Sequence, residues 1–137
     1  PSLKEALQIL AAKNIITPLS GTSYDDEVVE KCLSYNKLIC EQSRFSKDIK
    51  TLASPITGGG ITIHWMYVLF TDAILKGKKV PSEWAAHAWE SLKARNIKFV
   101  EEGETVMDDE ENLKKINAFC IDFEKVHVPV LKRLAII

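Results

Sequence analysis

Three histidines, three cysteines and a run of three glycines are the residues here whose types could do chemistry, and spacing decides which chemistry that would be. Gly58, Gly59 and Gly60 stand before an apolar run. If that run is a helix, their backbone amides could hold a phosphate or carboxylate at its N-terminus. The pattern lacks the Gly-Lys-Ser/Thr ending of a phosphate loop and the strand and spacing of a dinucleotide fingerprint. A connector, or glycines that let two backbones approach closely, is the simpler reading. Glu83, His87 and Glu90 share one face of a helix and could orient an imidazole or contribute to a metal site. Trp84, Ala88 and Leu92 are expected to point inward, which turns those three toward water. Glu124-Lys125-Val126-His127 supplies one copy of the Glu-x-x-His element that carboxylate-bridged di-metal bundles carry twice. Without a second copy the site cannot be completed within the chain, so His127, like His64 beside Trp65, reads as a histidine at the edge of a core.

Cys32 and Cys40 lie two helical turns apart, too far for a disulfide, and no His or Cys pair completes a zinc set. No Gly-x-Ser-x-Gly elbow or cysteine signature marks a nucleophile. Pro1, as a free amine, could act as a base as it does in the tautomerase superfamily. That family follows its proline with a strand, whereas Ser2 to Lys13 reads as a helix. With no complete catalytic set, the expectation is a chain that is not an enzyme and carries no metal or cofactor.

Two surfaces remain as candidates. Lys76, Lys78 and Lys79, with Lys93, Arg95 and Lys98 and the glycines 58 to 60, are where an anion or a nucleic-acid backbone would lie. A helix from Ser82 to Arg95 followed by a hairpin at 97–107 resembles, in outline, the recognition helix and wing of winged-helix DNA binders. The wing, however, carries Glu101, Glu102 and Glu104 where phosphate contact needs cations. Trp65, Trp84 and Trp89 either fill the core or line a pocket for an apolar ligand, and a tryptophan left partly exposed would suit a partner contact.

The elements that must position these residues follow from capping and periodicity. Ser2-Leu3-Lys4-Glu5 is a capping box opening a helix with the stripe Leu3, Leu7, Leu10, which stops near Asn14 before Thr17-Pro18. A longer helix starts at Ser23 and buries Val28, Val29, Cys32, Leu33, Asn36, Ile39 and Cys40. Phe45, Ile49 and Leu52 repeat the spacing, so it either runs to about Ala53 or breaks near Ser43. Thr62 to Lys76 is the most apolar stretch and has no polar face, which makes it the hub of the core if helical. Its β-branched and aromatic content would also suit a buried strand. Ser82 caps the next helix, residues 97–107 form a short β-hairpin or an ordered loop, and Asp108 and Asp109 open the last long helix. That helix carries Leu113, Ile116, Cys120, Phe123 and His127, and Pro129 should kink or end it. The apolar tail with Leu134, Ile136 and Ile137 must lie on the core or on a partner.

The fold expected is therefore all-α: a single-domain bundle, residues 1–137, of five or six helices around a central hydrophobic helix. At 137 residues a chain buries enough surface to need no disulfide or metal. A formal charge of -1 gives no general attraction to nucleic acid or anionic lipid. The charges are nevertheless segregated: residues 55–100 hold six basic and three acidic side chains, and residues 101–137 hold five and nine. The apolar run is too short and too interrupted by Asp72 and Lys76 to span a membrane. No secretory signal is evident, and an odd number of cysteines favours free thiols in a reducing, cytoplasmic compartment.

The function expected from this is protein–protein interaction or self-association, with the chain a subunit of an assembly of the coat or nucleocapsid kind. Separated basic and acidic segments could meet head to tail, and the apolar tail could cover a neighbour. The alternatives are a small-ligand-binding protein or enzyme with an aromatic-lined pocket, and a winged-helix-like DNA binder.

Overall fold

A computed structural model describes residues 2–13, 15–16, 18–19 and 24–137. Pro1 and Ser23, one weighed as a base and the other as a helix cap, lie outside the described residues, as do the ends of the loop expected between Asn14 and Thr22. The order of elements is α1 (Leu3–Ala12), α2 (Asp26–Ser43), β1 (Thr51–Ser54), β2 (Gly59–Thr62), α3 (Trp65–Leu75), α4 (Pro81–Ala94), β3 (Val100–Glu101), β4 (Glu104–Thr105), α5 (Asp109–Asp122), a π-helical turn (Phe123–His127) and α6 (Val128–Arg133). The protein is thus mostly helical, with two small two-stranded sheets.

The capping box holds. Ser2 Oγ accepts from the Glu5 amide at 3.2 Å, and the Glu5 carboxylate accepts from the Ser2 amide at 2.7 Å. α2 opens on Asp25, whose Oδ1 accepts from the Val28 amide at 3.0 Å, and ends at Ser43. It does not run on to Ala53. The spacing of Phe45, Ile49 and Leu52 is helical only on paper: Phe45 is exposed, and Leu52 sits on β1, where burial alternates with the two-residue period of a strand. Asn36, fully buried on α2, replaces the missing neighbour strand for β1. Its Nδ2 donates to the Ala53 carbonyl at 2.9 Å and its Oδ1 accepts from the Ala53 amide at 2.6 Å. Both polar groups of a free sheet edge are met by one side chain.

The glycines do not precede a helix directly. β1 pairs antiparallel with β2 in the register Thr51–Thr62, Leu52–Ile61, Ala53–Gly60, Ser54–Gly59, so the second and third glycines are strand residues. Gly58, with φ of 67°, supplies the left-handed turn residue. At Gly60 a Cβ would meet Thr51 Cγ2 at 2.6 Å, so the close approach of the two strands is what requires glycine there.

α3 starts at Trp65, after His64 as N-cap, three residues later than Thr62. It has no exposed polar face and is covered on nearly all sides, with Trp65, Met66, Val68, Leu69, Phe70 and Ala73 buried along with the polar Thr71 and Asp72. It packs against α4, α2 and α5. Two backbone carbonyls near it are closed by indoles: Trp65 Nε1 donates to the Ser43 carbonyl at the end of α2 at 2.6 Å, and Trp84 Nε1 to the Lys78 carbonyl in the α3–α4 connection at 3.0 Å. α4 opens at Pro81 with Val80 as N-cap, rather than on Ser82, because proline suits the first helical position and Glu83 caps from inside. The Glu83 carboxylate accepts from the amides of Lys79 (2.9 Å) and Val80 (3.3 Å), which hold it below the usual carboxylate range.

The hairpin at 97–107 is formed. Val100 pairs with Thr105 and Glu101 with Glu104, around a turn whose residues Glu102 and Gly103 both have positive φ, 51° and 87°, as two-residue hairpin turns require. Buried Asn112 on α5 anchors it: Oδ1 accepts from the Phe99 amide at 2.9 Å, and Nδ2 donates to the carbonyls of Val106 and Asp108, each at 2.7 Å. At the end of α5 the backbone widens into the π turn, and Pro129 lies in the first turn of α6. The Val128 amide donates to the Phe123 carbonyl across the wide turn, and Pro129 then falls in the first turn of α6, where a missing N–H is tolerated, so the chain stays helical past it. After α6, Ala135 is left-handed (φ 52°) and the Ile136 amide donates back to the Leu131 carbonyl at 3.0 Å, a helix stop that turns Ile136 into the core.

Candidate functional site

Four segments far apart in sequence meet in a cleft of about 390 Å³. The 44–50 connection brings Lys47 and Lys50, the start of α3 brings His64 and Trp65, the stretch after α4 brings Lys98 and Phe99, and α5 brings Phe119. The rings stack in sequence: His64 lies parallel to Phe119 at 5.5 Å between centroids and 12°, and Phe99 lies against the same phenyl ring at 6.1 Å and 26°. Lys47 Nζ stands 5.3 Å from the centre of the Trp65 ring, and the Arg95 guanidinium stands 5.9 Å from it. His64 caps α3 with Nδ1, which accepts from the Met66 amide at 3.3 Å. That bond needs the neutral ring, and partial burial together with the charge of Lys50 lowers its pKa accordingly. Among the described residues, none of the three cleft lysines is paired with a carboxylate; Lys98 donates to the Met107 carbonyl at 3.0 Å. Asp48 is the one acidic residue at the cleft.

A second polar cluster lies inside the α3–α4 contact. Asp72 Oδ2 accepts from His87 at 2.6 Å and from Lys76 Nζ at 2.9 Å, and Arg44 Nε approaches it to 3.4 Å. Burial alone would push the Asp72 carboxyl up, but the hydrogen bonds and charges of His87 and Lys76 outweigh it and hold the group below its ordinary value. His87 is 6% exposed, so it does not face water with Glu83 and Glu90. The helix is wide enough in its buried arc to include the His87–Ser91 edge beside Trp84, Ala88 and Leu92, and the carboxylate on α3 makes that burial tolerable. Tyr67 Oη donates to Asp122 at 2.7 Å; partial burial and that carboxylate push its pKa up to about 12. His127 sits against the Tyr67 ring at 4.4 Å and 3.6 Å from Asp122, while Glu124 is exposed. Among the described residues no three His, Cys, Asp or Glu side chains converge as a metal ion would need.

The third feature is apolar and unpartnered. Among the described residues, α1 has no fully buried side chain and makes no extensive contact with another element; Leu10 is half-buried. Leu3 is 77% and Leu7 46% exposed, on one stripe with Leu10. Only the C-terminal half of α2 is anchored: Asn36, Cys40 and Ser43 are buried, whereas Val28, Tyr35 and Leu38 are exposed.

The basic residues named from sequence do not form one patch. Lys76, Lys78 and Lys79 stand before α4, and Lys93, Arg95 and Lys98 at and beyond its other end, about 20 Å away by helical rise. Lys76 is tied to Asp72, Lys93 lies over Trp89 at 5.7 Å, and Lys98 alone of the six opens on the 390 Å³ cleft. Gly58, Gly59 and Gly60 lie in the β1–β2 hairpin, apart from it. Trp84 and Trp89 are buried with Trp65, and of the three only Trp65 lines that cleft. Ile136 is in the core, with Leu134 and Ile137 half-buried against it, so the tail covers the chain's own core. Sequence reasoning passed over Lys47, Lys50, Phe99 and Phe119, because nothing local marks four segments that converge only on folding. Asp72 did carry a signal: it is the one carboxylate in the run 61–75, and a buried carboxylate needs a cationic or imidazole partner.

Among known proteins, the chain is similar to the uncharacterized protein sll1526 of Synechocystis sp., with 24% identity over 135 residues. The match takes in 98% of this chain and 26% of that protein, so the chain spans about a quarter of its relative's length. No protein-family model matches the sequence, and no solved structure matches it.

Proposed function

We propose that the chain is a non-enzymatic helical interaction module that associates with a second copy of itself through α1. One observation carries this: α1 is a capped, amphipathic helix of 10 residues with no fully buried side chain, its Leu3 and Leu7 exposed and Leu10 only half-buried. Isolated helices shorter than about 12–15 residues are marginal in water, and helices in proteins are held by packing of their apolar face. The stripe Leu3, Leu7, Leu10 therefore needs a surface. Two copies of the stripe laid antiparallel are self-complementary, as a two-fold contact must be, and the exposed Val28, Tyr35 and Leu38 of α2 offer further apolar area. The expected single-domain bundle, gathered around α3, serves as the scaffold. Three free cysteines suit an intracellular setting. Among the described residues no helix is long and apolar enough to cross a membrane.

Sedimentation equilibrium over a range of concentrations tests the proposal. The wild-type chain is expected to associate as concentration rises, and Leu3→Glu with Leu7→Glu to remain monomeric with unchanged helix content in α2 to α6. A wild-type chain that stays strictly monomeric at the highest concentration, or a double variant that associates equally well, would overturn it.

A further inference from the structure

We propose that the cleft between Lys47, Lys50 and Lys98 binds a small aromatic phosphate, with the planar part on the ring stack and the phosphate on the lysines. This goes beyond the association through α1 and does not depend on it. The volume of about 390 Å³ falls at the small end of ligand pockets, roughly 300–1,000 Å³, which suits one mononucleotide-sized molecule better than a dinucleotide. Three basic residues, Lys47, Lys50 and Lys98, and one acidic residue, Asp48, line that space; Lys47 Nζ lies over the Trp65 ring, and Lys98 Nζ, now on the Met107 carbonyl, would have to exchange that bond for the ligand. Like charges gathered at one cleft repel one another, and a dianion placed among them turns this repulsion into attraction. The start of α3 lies at the cleft, where Trp65 and Met66 line it, although the Met66 amide is already taken by His64 Nδ1. One guanidinium nitrogen of Arg95, whose side chain lies against Trp65, is buried without a hydrogen-bond partner. Phe99, Phe119 and the neutral His64, nearly parallel rings, also line the cleft, and a base or other arene can stack on such rings without a specific hydrogen-bond pattern. An inorganic anion would leave those rings wet, and an uncharged arene would leave three basic residues with Asp48 as their one counter-charge at the cleft.

Titration calorimetry with adenosine monophosphate, adenosine, inorganic phosphate and an eight-nucleotide single strand tests this. The monophosphate is expected to bind with 1:1 stoichiometry, and adenosine and inorganic phosphate each more weakly by about tenfold or more, the loss of one charge-assisted or stacking contact set. Lys47→Ala and Lys50→Ala, both at exposed positions, are expected to weaken the monophosphate about tenfold each with unchanged circular dichroism. Lys79→Ala, before the far end of α4, is expected to leave it unchanged. Equal binding of monophosphate and adenosine, no effect of Lys50→Ala, or no monophosphate binding at millimolar concentration would each overturn the proposal. Binding of the single strand without binding of the monophosphate would also overturn it and assign the cleft to nucleic acid.

Discussion

His87 Nε2 lies 2.6 Å from Asp72 Oδ2, and both side chains are closed off from solvent where α4 crosses α3. Lys76, one turn on from Asp72, and Arg44, at the end of α2, reach the same oxygen from the solvent side, so three elements meet on a single carboxylate. A buried charge of this kind adds less to net stability than an apolar pair would, but breaking it is costly because the remaining partners lose their counter-charge.

Asp72→Asn is therefore expected to destabilise the fold by about 3 kcal/mol at neutral pH, the low end for a broken buried pair, since Lys76 and Arg44 are 39% and 36% exposed and can rehydrate. The sign of the pH dependence follows from the depressed carboxyl. Its contribution is complete above the ordinary value of 3.8 and is lost as pH falls through the lower folded-state value. Urea unfolding of both proteins should give a stability gap that narrows only below pH 3.8. A gap that narrows as pH rises instead would show that Asp72 is not held ionised in the fold.

Much of the helical framework could be read before folding because it rests on local chemistry: the Ser2–Glu5 capping box, the start of α5 at Asp108 and Asp109, and the periodic burial of Trp84, Ala88 and Leu92 each depend on residues within one or two turns, whereas α2 opens on Asp25 and not on Ser23 as its spacing suggests. The hairpin β1–β2 could not, because Leu52 continues the apolar spacing of α2, and what makes the backbone there a strand is its pairing with β2 on one edge and the long-range bonds between Asn36 and Ala53 on the other. His87 was misplaced for a related reason. A helix that contacts two neighbours has a buried arc wider than its most apolar stripe, and the second neighbour, Asp72, is 15 residues away. The cleft was hidden for the simplest reason, that Lys50, His64, Lys98 and Phe119 share no local pattern.

The two buried asparagines make the same point energetically. Asn112 satisfies the Phe99 amide and the Val106 carbonyl, groups that flank the hairpin, so Asn112→Ala leaves both without a protein partner. The expected cost is about 3 kcal/mol, at 1–3 kcal/mol for each buried group left unsatisfied. Hydrogen exchange at the Phe99 amide should speed up by more than exchange in α3 does. Equal acceleration at both would mean that the side chain supports the whole fold and not the hairpin in particular.

Neighbouring glycines offer a sharp contrast. A methyl group at Gly60 meets Thr51 Cγ2 at 2.6 Å, and Thr51 cannot turn freely because its hydroxyl shares a 2.9 Å hydrogen bond with Thr62. At Gly59 a methyl group meets nothing within 4 Å. Gly60→Ala is expected to cost about 1–3 kcal/mol, the usual range for overpacking, and Gly59→Ala to stay within about 0.5 kcal/mol of wild type. Thermal unfolding of the two variants side by side decides it, and equal midpoints would show that β1 and β2 do not approach as closely as described.

The cysteines should differ in reactivity although none is disulfide-bonded. Cys40 is fully buried and its thiol is pushed up to about 12, by burial first and then by the nearby charge of Asp72. Cys120 is likewise pushed up to about 12, by burial and then by Glu124. Only the thiolate attacks an alkylating reagent, so both are protected twice, by access and by protonation. Cys32, half-buried on the loosely anchored part of α2, lacks the first protection. Iodoacetamide at pH 8 should therefore add one group to the native protein quickly and two more only on unfolding, with peptide mapping placing the first on Cys32. Asp72→Asn should raise the labelling rate of Cys40 by opening the α3–α4 contact beside it. If Cys40 reacts in the native wild type as fast as Cys32, the packing of α2 on α3 is looser than the burial of Asn36 and Ser43 requires.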